Sequence, residues 1–253
     1  MVRKLMVAML VLIGAGLIVQ TAQAADTVAP PGRTIHVKTQ DYEFYYSYPA
    51  AAGRIPALKA VLDKDAAGLQ ADLAENARDG HDEAKQNDFT FNSFVIRNEW
   101  SVVTDLPGWL SLSGMFTDYE GGAHPNHNPL ALLWDKTENR KVEVADLFVS
   151  SAALSAAIRE PFCKELNRQR AARRGEPVDP ESKDSFDACL DPVKETVILG
   201  SADHRHFTRI GVLMGPYEAG SYAEGDYEVT LPVTQAVLSA VRPKYRAAFA
   251  PGH

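Results

Sequence analysis

The sequence predicts an α+β fold, a mostly antiparallel sheet or sheets packed against a few helices, and three observations support this. Aromatic and aliphatic residues alternate with polar ones over several short stretches, the period of half-buried strands. Between Arg54 and about Lys85 the apolar spacing changes to that of a helix. Strand-like stretches come in runs with helices between the runs, which differs from regular β-α-β alternation. No internal repeat is visible.

In chain order, Met1 to Ala24 reads as a secretory signal peptide. Arg3 and Lys4 form its basic start, Leu5 to Val19 its apolar run, and Ala22-Gln23-Ala24 an A-x-A cleavage site. That run is short for a bilayer span, which needs roughly 20 residues, and no cysteine lies near the cleavage site to carry a lipid. The expectation is a periplasmic or secreted protein with no stable membrane anchor after cleavage. Residues 25–33, with Pro30-Pro31-Gly32, read as a flexible leader. The formal net charge is −7, and loss of Arg3 and Lys4 makes it two units more negative. Nucleic-acid binders usually present a basic face, so no nucleic-acid partner is expected.

Thr34 to Tyr48 reads as one extended segment with Tyr42, Phe44, Tyr46 and Tyr48 on one face. Ile55, Leu58, Leu62, Leu69 and Leu73 then mark an amphipathic helix ending around Asp79-Gly80. Phe89 to Asp118 reads as a hairpin or meander with a turn at Asp105-Leu106-Pro107-Gly108. The stretch from Tyr119 to Asn128 (YEGGAHPNHN) is a shaped loop, because Gly121 and Gly122 tolerate unusual backbone angles and Pro125 extends His124. Pro129 to Asp135 and Lys141 to Val144 read as strands. A helix follows from about Ser151, capped by Ser150 or Ser151, with Pro161 marking a break or a second start. Cys163 and Cys189 are the only cysteines, and in an exported chain such a pair reads as one disulfide clipping a charged segment. Thr196 to Leu199, His206 to Met214 and Tyr227 to Leu231 read as strands, and Thr234 to about Val241 as a closing helix.

Tyr119, Gly121-Gly122-Ala123-His124-Pro125-Asn126 and Asp146-Leu147-Phe148 carry a family resemblance. It continues through Pro216-Tyr217-Glu218, Gly220, Tyr222-Ala223, Gly225 and Leu231-Pro232. Together these resemble the C-terminal domain of the lysozyme-sensing anti-sigma factor RsiV, a domain of unknown function of the DUF3298 type. The segment ending in Tyr46-Ser47-Tyr48-Pro49 resembles its companion, the accessory domain that precedes the catalytic domain of the deacetylase PdaC. The resemblance implies a PdaC-type region over 34–118 and an RsiV-like region over 119–253, from which the disulfide-bounded insertion over 163–189 is a local departure. It implies a module exposed outside the cytoplasm, in one characterised case to bind lysozyme. Neither the signalling role nor the deacetylase activity is expected to transfer.

The residues suggest two kinds of function. The first is a non-catalytic envelope protein that binds a protein or cell-wall ligand through Tyr119, Gly121, Gly122, His124, Asn126, Tyr217 and Tyr222, the resemblance implying a lysozyme-type muramidase or a peptidoglycan-related ligand. The alternative is a small envelope hydrolase using the His124 loop, with metal help from His124, His127, His204 and His206 if the two pairs converged. The latter two would share a face only on an extended segment. Glu120 and Glu218 are a further candidate carboxylate pair, for sugar binding or acid–base work. No G-x-S-x-G or H-E-x-x-H motif occurs, so no catalytic residue, metal or cofactor is assigned.

Overall fold

The computed structural model describes residues 32–179 and 181–252. The signal peptide expected over 1–24 lies outside them, as does all but the end of the leader expected over 25–33. The α+β architecture is as the sequence predicts, with two sheets and helices. The first sheet has six strands in sequence order: β1 (Arg33–Lys38), β2 (Tyr42–Tyr48), β3 (Phe94–Asp105), β4 (Trp109–Tyr119), β5 (Asn126–Asp135) and β6 (Arg140–Val142). All neighbours are antiparallel except β2 and β3, which run parallel. A parallel pair needs a long crossover, supplied here by α1 (Ala50–Gly53) and α2 (Pro56–Gln86).

Alternation along the strands decides what each face meets. Phe44, Tyr46 and Tyr48 of β2, with Leu110, Leu112, Leu132 and Trp134, turn toward α2 and bury its Leu58, Leu62, Ala66 and Leu73. Leu133, between Leu132 and Trp134, joins a second core on the other side. The tyrosine hydroxyls stay satisfied at the edge of this packing. Tyr46 donates to Asp65 at 2.8 Å and Tyr48 to Asp63 at 2.7 Å.

The second sheet contains β7 (Thr196–Gly200), β8 (Arg209–Met214) and β9 (Tyr227–Pro232), all antiparallel. One of its faces contributes Leu199, Ile210, Val212, Val229 and Leu231 to the second core, with Leu154, Ile158, Phe162 and Leu166 of α3 (Ser151–Arg174). Val237 and Ala240 of the short α4 (Gln235–Ala240) close this core. β7 lies across β3, β4 and β5, which joins the two sheets.

Four local expectations are corrected. Thr34 to Tyr48 is a hairpin, because the Thr39 hydroxyl accepts from the amides of Asp41 and Tyr42 and turns the chain there. α2 runs through Gly80 to Gln86; a Cβ at Gly80 would lie 2.8 Å from the Phe94 ring, so the glycine admits a ring and does not end the helix. α3 continues through Pro161 as one helix. An interior proline costs roughly 3 kcal/mol, which burial of Ile158, Phe162 and Leu166 offsets. His206 precedes a strand that begins only at Arg209. Ser150 caps α3 by accepting from the Ala153 amide, and Cys163 and Cys189 form the expected disulfide, with Cα atoms 5.5 Å apart.

Candidate ligand-binding face

The site is assembled where the β4–β5 hairpin meets the loop between β8 and β9. Thr117 pairs with His127 and Asp118 with Asn126 at the hairpin end. The tip beyond them is short, because β5 starts at Asn126, earlier than the expected Pro129. Gly121 sits at φ +86°, a left-handed conformation that a side chain disfavours. From the other side, Gly215 comes so close that a Cβ there would lie 2.8 Å from the His127 carbonyl oxygen.

The 215–225 loop is anchored from beneath by Glu224. Its carboxylate accepts from the Tyr227 hydroxyl at 2.6 Å, the Arg174 guanidinium at 2.8 Å and the Ser221 amide at 3.0 Å. Burial works against the charge, yet these donors outweigh it and hold the Glu224 pKa down at about 2. Gly220 makes room for this group, since a Cβ there would lie 2.7 Å from a Glu224 carboxylate oxygen.

On this base three aromatic rings converge. The Tyr222 ring stacks on His124 with centroids 3.8 Å apart, and Tyr217 lies 5.7 Å from Tyr222. His124 Nδ1 is 3.0 Å from the Pro125 carbonyl oxygen, which can only accept, so Nδ1 carries a proton. Nε2 is then free to accept from the Tyr217 hydroxyl at 3.3 Å. The Tyr222 hydroxyl donates to the same Pro125 carbonyl at 2.9 Å. Beside the rings is a hollow of about 180 Å³ lined by Asp118, Asn126, His127, Asn128, Pro216 and the two tyrosines. Tyr217 is 54% exposed, although its backbone sits at φ +70°. Left-handed backbone is uncommon for a bulky residue, and such strain gathers at functional sites.

Of the residues expected to bind ligand, His124, Asn126, Tyr217 and Tyr222 come together. Gly121 and Gly122 shape the tip, and Tyr119 pairs with Val95 at the end of β4, away from the hollow's lining. Asp118 and Asn128 line the hollow but were not singled out. The signal for Asn128 is its period-two spacing from Asn126, which an expected strand start at Pro129 leaves outside β5. The four histidines do not form the conjectured metal site. His204 and His206 sit in a turn, with His206 on Asp203 at 2.8 Å, and no metal-holding group of three or more His, Cys, Asp or Glu side chains occurs among the described residues. Burial, and after it the nearby Glu218, disfavours ionisation of the Glu195 carboxyl, an acidic neighbour not anticipated from the sequence.

Residues 35–127 match the family model described as Deacetylase PdaC. The fold is similar to two solved structures of DUF3298 family proteins. The one from Bacteroides fragilis has a TM-score of 0.52 at 15% identity, covering 80% of this chain and 90% of the other. The one from Pseudomonas aeruginosa has a TM-score of 0.51 at 14% identity, covering 88% and 97%. No curated protein matches the chain.

Proposed function

We propose that this chain, which carries a PdaC-like region within a fold of the DUF3298 type, is an exported, non-catalytic binding module of the cell envelope. Its ligand is a protein or cell-wall component, with a lysozyme-type muramidase as the named candidate, and it docks on the face formed by His124, Tyr217 and Tyr222. The observation that carries this reading is Tyr217, a large ring held half in solvent on a backbone conformation that costs stability. Tyrosines of this kind are favoured contact residues because they bring apolar area and a polar tip at little entropic cost. His124 fits a positioning role, since both its ring nitrogens are engaged within the site. The acidic balance, −7 for the full chain and two units more negative without Arg3 and Lys4, would speed encounter with a basic partner.

The test is calorimetric titration of the purified protein with a panel of lysozymes at physiological salt, with Tyr217→Gly beside the native chain. Saturable binding is expected, weakened about tenfold or more by the substitution. The same change relieves the left-handed strain, so the melting temperature should hold or rise. Absence of binding to every lysozyme removes the muramidase. Equal binding by Tyr217→Gly removes the aromatic face.

A further inference from the structure

The two sheets meet mainly through β7, with a smaller contact between β5 and β8, and a cleft of about 760 Å³ lies between β3–β4 and β8–β9. That is within the usual size of a ligand site, roughly 300–1,000 Å³. It stays open because its walls are small where the sheets face each other. Ser101 and Ser113 line the first sheet, and Ile198 lies back over Gly211, where a Cβ would come within 2.6 Å of it. The floor is apolar, built from Val103, Met115, Ile198 and Leu213.

Around this floor stand the carboxylates of Glu99, Asp226 and Glu228. Asp226 and Glu228 are exposed, and neither forms a salt bridge with a described residue. Among the described residues, Glu99 is paired only with the exposed Arg97. The one guanidinium in the lining, Arg173, lies 3.7 Å over the Tyr227 ring and donates to the Glu224 carbonyl. That placement also covers the only aromatic ring of the lining, so no free ring face is offered for stacking on a sugar. Apart from the hydroxyls of Ser101 and Ser113 and the Gln169 amide, which donates to Glu165 and the Glu228 carbonyl, the remaining side-chain chemistry is an aliphatic floor edged by carboxylates.

We propose that the cleft between the sheets is a second binding site, one that takes a short basic peptide segment. Aliphatic side chains of the segment rest on Val103, Met115, Ile198 and Leu213, and its ammonium groups meet Asp226, Glu228 and Glu99. This site stands apart from the aromatic face and does not depend on the identity of the ligand there.

The probe is an acetylated, amidated Lys-Leu-Lys-Leu-Lys peptide titrated into the full chain at low and physiological ionic strength. The comparison ligands are the Glu-for-Lys peptide and a chitin oligosaccharide. One-to-one binding of the basic peptide is expected, weakening with salt as exposed charge contacts do. Joint Asp226→Asn and Glu228→Gln substitution should lower affinity about tenfold, Ser113→Trp should block the cleft, and Tyr217→Gly should leave peptide binding unchanged. Unfolding of Ser113→Trp would leave the test to the charge variant, which alters only exposed groups. The proposal is overturned by no binding, by equal binding of the acidic peptide, by displacement of the peptide by the sugar, or by full affinity in the charge variant. Loss of peptide binding in Tyr217→Gly would overturn the separation of the two sites.

Discussion

At the scale of single residues, two carboxyls show how environment sets charge in this protein. Glu224 is held by four donors, the Tyr227 hydroxyl, the Arg174 guanidinium and the amide and hydroxyl of Ser221. Its pKa is held down at about 2, so its contribution to stability is present above the unfolded value near 4.5 and is lost as pH falls from there through about 2. Glu195 behaves in the opposite sense. Burial, and then the neighbouring Glu218 and Asp191, push its pKa up to about 7. Because its folded pKa is raised, ionisation opposes folding. The cost develops as pH rises from the unfolded value near 4.5 and is complete above about 7. Glu195→Gln should therefore stabilise the protein by about 1–2 kcal/mol near pH 8 and change little near pH 4, allowing for partial solvent screening. Urea unfolding at both pH values measures this, and an equal shift at both would show that the carboxyl's charge is not the cause. Neither behaviour is legible in the sequence, where Glu195 and Glu224 are two among 33 acidic residues.

At the scale of elements, period was the reliable signal and punctuation the weaker one. Leu58, Leu62 and Leu73 of α2 are buried as their spacing predicts. The expected stop at Gly80 did not occur, because that glycine serves a neighbour in space. The two glycines of α2 make the distinction measurable. Nothing lies within 4 Å of a Cβ built at Gly68, so Gly68→Ala should stabilise by about 0.5–1 kcal/mol through helix propensity alone. At Gly80 the same gain meets the Phe94 ring at 2.8 Å, and that ring is backed by Phe91. Gly80→Ala should cost about 1 kcal/mol net, since displacing packed atoms costs more than the helix gains. Thermal melts of the two variants check the pair, and a stabilised Gly80→Ala would mean that the ring yields freely. Pro161 makes the same point, since tertiary burial kept helical a position that local preference would have broken.

At the scale of the whole molecule, the disulfide ties the second half of α3 to the segment that leads into β7, the strand that joins the sheets. Cys163 lies within α3 and Cys189 shortly before β7, with a separation of 26 residues. Near the bridge, buried Arg170 donates to the carbonyls of Ala219, Asp187 and Ala188, so the segment is held by polar contacts as well. In the chain-entropy account a loop of this length is worth about 3–4 kcal/mol. Replacing both cysteines by serine should lower stability by roughly that amount, read from the urea midpoint against the native chain. A loss below about 1 kcal/mol would place the restraint in the Arg170 contacts. The pairing itself was legible, being the only one two cysteines allow. The extent of helix inside the clipped segment was not, because its charge-rich composition concealed the buried stripe of Leu166 and Arg170.

The sequence by itself determined the α+β class, the faces of β2 and α2, the disulfide, and the loop residues that carry the family resemblance. These are local patterns or choices with one outcome, and residue spacing is enough to set them. Tertiary structure alone decided which loops meet. His124 and Tyr217 are 93 positions apart, and their contact depends on the packing of β7 against the first sheet and on the close approach allowed by Gly215. The cleft has the same origin, since an opening between two sheets is a property of how they pack. No strand contains that information alone, because alternation says which side chains face inward and not what they will face.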